Sequence, residues 1–228
     1  MATKPKPVPP RPAPRLYLAT PPIADPSTIA AALPELLAAA DVAAVLLRFE
    51  ATDERSIIKC TKTLAPAIQN AGAALLLDGH FELVARAGAD GANINDVAAM
   101  EDALSTLKPD RILGVGGLNT RHDAMMAGES GVDYVLFGEP GEDGERPSSE
   151  AIFERLQWWA EIFEPPCVGF AATLEEAGLF ASAGADFILV GDFIWQDSRG
   201  AQAALMEASE TIAKSFETAF GKNAVREG

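Results

Sequence analysis

The sequence predicts an α/β protein built as a single-domain (β/α)8 (TIM) barrel, and three observations support this prediction. The first is a recurring phrase of small residues, then Asp, then an apolar run, found at Asp41, Asp90, Asp133 and Asp186. These Asp residues are 49, 43 and 53 positions apart, about twice the length of one strand-plus-helix unit. The second is the length of 228 residues, which suits one such barrel. The third is a series of short apolar runs, typical of parallel strands that helices cover on both faces.

Eight strands are predicted from runs bounded by Gly, Asp or Asn. They cover residues 16–20, 42–48, 73–78, 91–94, 111–115, 134–138, 167–170 and 187–191. The chain is therefore predicted to consist of a flexible, Pro-rich tail at 1–14 and a barrel at 15–222. The composition of the tail favours an extended, mobile segment, and a docking role is the alternative to simple disorder.

Helix starts are predicted from residues that cap helices with their side chains. They are Asp53 or Ser56 for the second helix, Thr120 for the fifth, Ser148 or Ser149 for the sixth and Thr173 for the seventh. Thr173 followed by Glu176 has the spacing of a capping box. A last helix at 202–220 is expected to pack near the first strands and close the ring.

The predicted sixth helix carries more apolar residues than one core-facing stripe needs. They are Ile152, Phe153, Leu156, Trp158, Trp159, Ile162 and Phe163. Two explanations stay open, either deep burial against neighbouring helices or a contact between subunits. Because aromatic residues are enriched at interfaces, the second explanation predicts a homodimer.

The composition narrows the possible partners and compartment. The net charge is −15, and the first fifteen residues hold four cations and no acid, which leaves −19 for the rest. Such an acidic body disfavours nucleic acid and anionic membranes as partners, but a local pocket can still bind a small phosphorylated ligand. Cys60 and Cys167 form no metal or disulfide pattern. With no secretory signal, these cysteines predict a cytoplasmic protein.

Candidate site residues follow from the rule that barrel chemistry occurs at the C-terminal ends of the strands. Arg48 lies at the second strand end, where a guanidinium suits a phosphate, although an ion pair with Glu50 or Asp78 is the alternative. Asp78, at the third strand end, has the chemistry to bind a metal, accept a proton or cap a helix. Thr20 ends the first strand beside them.

The remaining strand ends are polar or small. Asn93 and Asn95 share one face of the fourth strand end, and Asp96 is expected to cap a helix or to bind a metal. Five small residues leave room for a ligand to approach the backbone. They are Gly116, Gly138, Gly169, Ala171 and Gly191. Helix N-termini near the last two strands favour a phosphate there, whereas Asp192 would repel it.

Five segments carry a family resemblance. They are Leu16-Tyr17-Leu18-Ala19-Thr20, Ala-Gly-Ala-Asp90-Gly-Ala-Asn-Ile, Ile112-Leu113-Gly114-Val115, Gly131-Val-Asp133-Tyr-Val-Leu-Phe-Gly138 and Ala183-Gly-Ala-Asp186. Through them the sequence resembles the thiamine phosphate synthases over roughly residues 16–195. The resemblance implies that a pyrimidine pyrophosphate is joined to a thiazole phosphate. In that dissociative displacement Mg²⁺ neutralises the departing pyrophosphate, and electrostatic stabilisation supplies most of the catalysis.

The resemblance also assigns roles to individual residues. Arg48 matches the Arg of the family's Gln-x-Arg-x-Lys segment, so Arg48 and Asp78 are the expected catalytic residues. Asp78 and Asp96 are the acids nearest to the expected Mg²⁺ positions. The other strand-end residues named above are expected to contact the substrates.

Several positions differ from the family pattern in the direction of more negative charge. Leu46 and Glu50 flank Arg48 in place of Gln and Lys, and Gly116 stands where Ser or Thr is expected. An acidic loop at 139–145 replaces the family's Thr-x-Thr-Lys segment. Each charge-assisted contact to the pyrophosphate that is lost in this way costs about 1.5–3 kcal/mol of binding free energy. Two alternatives therefore stay open. One is a catalytically degenerate binding or regulatory module for phosphorylated ligands. The other is a barrel enzyme of different chemistry that uses the acidic loop at 139–145 on a cationic or neutral substrate.

Overall fold

The computed structural model describes residues 11–50, 53–141 and 144–221. Eight parallel strands pair in chain order, and β8 pairs with β1 to close the barrel. The strands are β1 Arg15–Ala19, β2 Val42–Leu47, β3 Ala74–Asp78, β4 Gly91–Ile94, β5 Ile112–Val115, β6 Tyr134–Phe137, β7 Cys167–Ala171 and β8 Phe187–Val190. The barrel prediction is confirmed, and each predicted strand end is within one residue of the observed one.

Helices connect consecutive strands and cover the outside of the barrel. They are α1 Pro26–Ala39, α2 Glu54–Asn70, α3 Val84–Ala87, α4 Met100–Leu107, α5 Arg121–Glu129, α6 Ser149–Ile162, α7 Leu174–Ser182, α8 Asp192–Trp195 and α9 Ala201–Phe220. Short 3₁₀ turns at Phe81–Leu83 and Val97–Ala99 precede α3 and α4. The last helix α9 packs on α1, α7 and α8, so it closes the ring by contacting the helix layer rather than the first strands.

The predicted helix caps are confirmed with one difference. Thr120 and Asp123 form a reciprocal capping box at α5. At α7, the side chain of Thr173 accepts from the Glu176 N–H, but the Glu176 carboxylate does not return the bond to Thr173. It accepts instead from the Ala172 N–H and from Arg146. The capping box predicted there is therefore only half formed, because a stronger cationic partner is within reach of the carboxylate.

The recurring Asp phrase has a structural explanation at the N-terminal end of the barrel. Asp90, just before β4, accepts the Leu75 N–H of β3 with its carboxylate at 2.8 Å and donates its own N–H to the Leu75 carbonyl. Asp133 repeats this pair of bonds with Leu113, and Asp186 repeats it with Cys167. Because each Asp joins an even-numbered strand to the odd-numbered strand before it, the phrase recurs every two units.

Asp41 is the exception, because its carboxylate pairs with the guanidinium of Arg15 on β1 at 2.7 Å and is well exposed to solvent.

Two apolar layers make up the core. The outer layer lies between strands and helices, and the inner layer fills the barrel with side chains that include Leu46, Leu76, Leu136 and Leu189. Tyr17 and Tyr134 meet edge to face inside the barrel, with their hydroxyl oxygens 3.0 Å apart.

Gly114 makes room for this tyrosine pair. A Cβ at Gly114 would lie 1.9 Å from Cζ of Tyr134, so only glycine fits at this position of β5.

Most apolar residues of α6 are used within the subunit. Trp159 is fully buried, stacks on Phe163 and donates to the Pro165 carbonyl. Trp158 is partly covered by Arg121, whose guanidinium carbon lies 4.9 Å from the ring centroid. Ile162 is the main exposed member at 64 %. The homodimer therefore stays a prediction that depends on a smaller surface than the sequence indicates.

Three further features concern the ends and the composition of the chain. Most of the predicted tail (residues 1–10) and the last position of the predicted barrel (222) lie outside the described residues. Arg11 of the tail is described, and its guanidinium donates to the Ala160 carbonyl. Burial raises the pKa of the Cys60 thiol to about 11 and that of Cys167 to about 12, so both thiols are neutral packing groups. Within the described ranges, no helix combines the length and apolar character needed to cross a membrane.

Candidate active site at the barrel mouth

Arg48 lies at the centre of a polar cluster at the C-terminal ends of the strands. It follows β2, and its backbone N–H donates to Oγ1 of Thr20 at 3.1 Å. Thr20 is itself fully buried, so its side chain holds the start of the Arg48 segment and does not face solvent. Gly191 lies beside the guanidinium, because a Cβ there would be 3.7 Å from Nη1 of Arg48.

Two carboxylates share the Arg48 guanidinium. Nε is 3.4 Å from Oδ2 of Asp78, and Nη2 is 3.1 Å from Oε1 of Glu139. The exposed fractions of the three side chains are 21 % for Arg48, 24 % for Asp78 and 9 % for Glu139. The ion pair with Asp78 that the sequence left open is present, but the second partner is Glu139 and not the exposed Glu50.

Glu139 is a functional candidate that the sequence reasoning named only as part of the acidic loop at 139–145 and did not single out. It is the second residue after β6, and burial together with the charge of Asp78 raises its pKa to about 7, although Arg48 opposes the shift. Burial likewise raises the pKa of Asp78, against the effect of Arg48. Titratable groups with perturbed pKa values in a cleft are candidates for a functional site. The strand-end rule that selected Arg48 and Asp78 also points to Glu139.

Asn95 links Glu139 to β4, and Asn93 lies beside it. Asn95 follows β4. When its side-chain amide is oriented so that both the nitrogen and the oxygen have suitable hydrogen-bond partners, the nitrogen donates to Oε2 of Glu139 at 2.7 Å and to the Ile94 carbonyl at 3.2 Å. Asn93 is fully buried, and its Nδ2 lies 2.9 Å from the Asn95 amide. Oδ1 of Asn93 has no hydrogen-bond partner among the described residues. The structure therefore brings both predicted asparagines to the cluster.

A cavity of about 1100 Å³ opens beside this cluster at the ends of β4, β5 and β6. Glu139 and Asn95 belong to its wall, as do Arg146 and Arg155. Its volume is sufficient for a bound small molecule. Arg48 is not among the described residues that line it, whereas its partner Glu139 is.

Sequence comparison assigns the chain to a family. The sequence model described as thiamine monophosphate synthase matches residues 16–194. The chain belongs to this family. It is 38 % identical over 201 residues to the thiamine-phosphate synthase of Rhodospirillum centenum, an alignment that covers 87 % of this chain and 97 % of the relative. It is 37 % identical to the thiamine-phosphate synthase of Hyphomonas neptunium, covering 86 % and 92 % of the two chains.

A solved structure supports the architecture. A thiamine phosphate pyrophosphorylase from Pyrococcus furiosus superposes with a TM-score of 0.73 at 19 % identity, covering 88 % of this chain and 96 % of that chain. At this level of identity the likeness shows the fold alone, and it agrees with the closed barrel described above.

One departure from the pattern expected of thiamine monophosphate synthases is explained by packing. Gly116 stands where Ser or Thr is expected, and a Cβ there would lie 2.4 Å from the Asn95 amide and 3.0 Å from Oε2 of Glu139. A larger residue would push these two side chains apart. Gly116 therefore leaves the space that the Asn95 and Glu139 side chains occupy, and Ser or Thr at 116 would require them to shift.

Three small residues predicted to contact substrate face away from the barrel interior. A Cβ on Gly138 would meet Ile152 of α6, and one on Gly169 would meet Leu156 and Phe180. Ala171 packs in the outer apolar layer. Because side chains alternate along a strand, the inward position on β7 is Phe170, which packs against the inner layer. A role for these three residues in substrate binding is limited to their backbone atoms.

Arg146 is a second guanidinium that the sequence reasoning did not single out. It donates to the Gly138 and Phe170 carbonyls, both at 3.0 Å, and makes two bonds to the Glu176 carboxylate. Burial would raise the pKa of Glu176, but bonds from Ser149, the Ala172 N–H and Arg146 outweigh it and lower the pKa. Arg146 thus ties the loop that carries Glu139 to β7 and α7.

The predicted metal ligands occupy different surroundings. Asp96 caps the 3₁₀ turn before α4, accepting the Ala98 N–H at 2.8 Å, and Asp78 pairs with Arg48. Within the parts of the chain that the structure describes, no group of three or more His, Cys, Asp or Glu side chains is arranged to hold an ion. Mg²⁺ commonly uses only one or two carboxylates together with substrate phosphates. Asp78, whose side chain is 24 % exposed and pairs with Arg48, has the carboxylate oxygens that this donor chemistry needs.

Proposed function

We propose that this protein is a thiamine-phosphate synthase that joins a pyrimidine pyrophosphate to a thiazole phosphate and releases pyrophosphate. The observation that carries the proposal is the identity of 38 % with a thiamine-phosphate synthase over 97 % of that relative's length. Arg48 at the mouth and the adjacent cavity of about 1100 Å³ support it, because the reaction needs a cation for the departing diphosphate and a space for two ring systems.

In this proposal, the residues of the mouth mainly position and stabilise charge. Arg48 binds a diphosphate oxygen and lowers the energy of negative charge that develops as the carbon–oxygen bond breaks. Phe170 lies 5.9 Å from the Arg48 guanidinium carbon and offers an apolar face beside it. Asn95 donates hydrogen bonds at the cavity wall.

Mg²⁺ would be held on the protein side by Asp78, with Asp96 as the second predicted carboxylate. When bound, it would neutralise the charge of the leaving diphosphate. The site also contains two carboxylates for one guanidinium, so its own net charge is negative while both are ionised. Binding a phosphorylated ligand therefore requires that this negative charge be offset.

The direct test is to incubate the purified protein with both phosphorylated precursors and Mg²⁺ and to detect thiamine phosphate by mass spectrometry. We expect product to accumulate with the wild type and to be strongly reduced in Arg48→Gln. Arg15→Gln, at the opposite end of the barrel, is a matched control that should retain the wild-type rate. Absence of product above an enzyme-free background would contradict the proposal.

The sharing of Arg48 by two carboxylates favours one alternative, a family member that binds a phosphorylated ligand without turnover. Calorimetry with thiazole phosphate and with thiamine phosphate tests it. Binding without product formation would support the binding module. Failure to bind either compound would point to a barrel of different chemistry.

We also propose a homodimer in the cytoplasm. Ile162 and the partly covered Trp158 on α6 support the dimer as a surface patch, and the buried, unpaired thiols of Cys60 and Cys167 fit a reducing compartment. Light scattering should give the mass of two chains for the wild type. Ile162→Glu should shift the mass toward one chain.

A further inference from the structure

The contact between Glu139 and Arg48 places a negative charge where a substrate anion must approach. Oε1 of Glu139 is 3.1 Å from Nη2 of Arg48, and the Glu139 side chain also belongs to the cavity wall. Asp78 occupies the Nε side of the same guanidinium. Of the two partners of Arg48, Glu139 is therefore the one on the cavity side.

Packing holds Glu139 in this position. Asn95 donates to its second oxygen at 2.7 Å, and Gly116 provides the space that a Cβ would fill at 3.0 Å from that oxygen. Arg146 fastens the preceding residue by donating to the Gly138 carbonyl. Asn95 after β4 bonds the carboxylate and Gly116 after β5 leaves room for it, while Arg146 holds the backbone next to it, in addition to the ion pair with Arg48.

An anion in the cavity must compete with this carboxylate for Arg48. A guanidinium makes its strongest contacts through paired N–H groups directed at one anion, and Glu139 already occupies one of the outer nitrogens. An incoming phosphate oxygen therefore has to displace Glu139 or lie next to a like charge.

We propose that Glu139 is a specificity-determining residue, whose carboxylate occupies Arg48 on the cavity side and weakens the binding of diphosphate until it is displaced. The inference rests on the proposed function in taking diphosphate as the anion. The competition between that anion and Glu139 rests on the observed contact of Glu139 with Arg48. Glu139 sets how strongly the mouth discriminates against highly charged ligands. The alternative is a purely structural ion pair that fastens the loop.

The test measures binding of inorganic pyrophosphate by calorimetry, in one magnesium-containing buffer at pH 8 where the Glu139 carboxylate is mainly ionised, to the wild type and to Glu139→Gln. Glutamine keeps the size of the side chain and removes its charge. We expect pyrophosphate to bind at least about tenfold more tightly to Glu139→Gln, since one competing charge-assisted contact is removed. Binding that is equal within twofold, weaker, or absent from both proteins would overturn the inference.

Three further variants separate competition from other effects. Glu129→Gln removes one exposed carboxylate at the C-terminal end of α5, away from the mouth, and should change the affinity by less than twofold. Arg48→Gln combined with Glu139→Gln should lose the gain, and a gain that persists without Arg48 would contradict the competition. Glu139→Asp keeps the charge on a shorter side chain, so its affinity should lie between those of the wild type and Glu139→Gln; equality with Glu139→Gln would also contradict it.

The outcome is independent of turnover. If the protein forms no thiamine phosphate but Glu139→Gln binds pyrophosphate more tightly, the proposed function fails and the inference stands. If thiamine phosphate is formed and the affinity of Glu139→Gln is unchanged, the inference fails and the function stands.

Discussion

The two ends of the barrel use carboxylates in opposite ways. At the N-terminal end, Asp90, Asp133 and Asp186 each accept a backbone N–H of the preceding strand at 2.7–2.8 Å. At the mouth, Asp78 and Glu139 share one guanidinium, and burial raises the pKa of both. Fixed N–H donors satisfy the first group and make it structural. The two carboxylates at the mouth share one cation, so their negative charge is only partly neutralised. Such an electrostatic condition is expected where ligands bind.

The largest expected effect is a loss of activity that occurs when the mouth is changed and not when the N-terminal end of the barrel is changed. Arg48→Gln should reduce kcat/KM for thiamine phosphate formation by about 10²–10³, the range found when one donor to a developing negative charge is removed. Arg15→Gln removes a cation from the pair with Asp41 and should leave kcat/KM within about twofold. Steady-state kinetics would measure both. Equal losses in the two variants would break the comparison.

A second prediction concerns stability and pH at the mouth. Because the pKa of Glu139 is about 7 in the folded protein and about 4.5 ordinarily, the folded state binds more protons than the unfolded state between these values. The free energy of unfolding should therefore fall as the pH rises through this range, by on the order of 3 kcal/mol.

Urea unfolding at pH 5 and pH 8 measures this effect. Glu139→Gln should gain stability relative to the wild type on going from pH 5 to pH 8. Glu50→Gln, an exposed control, should follow the wild type at both pH values. A pH dependence of Glu139→Gln identical to that of the wild type would show that Glu139 is not the group that titrates.

The opposite end should respond in stability and not in activity. Asp186→Ala removes the acceptor of the Cys167 N–H and should lower the free energy of unfolding by about 1.5–3 kcal/mol, with kcat/KM unchanged. Asp41→Ala removes only an exposed ion pair and should cost about 1 kcal/mol or less. Urea unfolding at neutral pH compares them. A larger loss from Asp41→Ala would contradict the structural role of the repeated bond pair.

A further small effect is predicted for Thr20, the residue beneath the mouth. Thr20→Val removes the oxygen that accepts the Arg48 N–H and keeps the shape of the side chain. The free energy of unfolding should fall by about 1 kcal/mol, in the range of one neutral hydrogen bond. A loss of kcat/KM above tenfold would show instead that the hydroxyl contacts substrate.

The fold was predictable because its signals are local. Strand ends are marked by Gly, Asp or Asn next to buried runs, and Asp133 before Tyr134–Phe137 is an example in which one residue both ends the turn and bonds the neighbouring strand. The period of the Asp phrase reports the two-strand repeat directly. These features depend on the nearest few residues and on the next strand along the chain.

The site was only partly predictable because its contacts join distant residues. Arg48 and Asp78 were found by the strand-end rule, but the bond between Arg48 and Glu139 spans 91 positions and depends on the path of the loop after β6. In the comparison with the family pattern, Glu139 counted only as part of an acidic loop that replaces a favourable segment. That comparison gave no indication that Glu139 pairs with Arg48. The outward direction of Gly169 and Ala171 depends on the pleat of β7, which the composition of small residues does not reveal.

The repeated Asp bonds imply that the barrel is assembled from two-strand units. In three of the four units, covering β3 with β4, β5 with β6 and β7 with β8, an even strand is joined to its odd predecessor by a carboxylate as well as by the sheet. A chain divided between units keeps every such bond within one fragment. A chain divided inside a unit separates an Asp carboxylate from the backbone N–H that donates to it, so complementary fragments should reassociate better when the break follows β4 or β6.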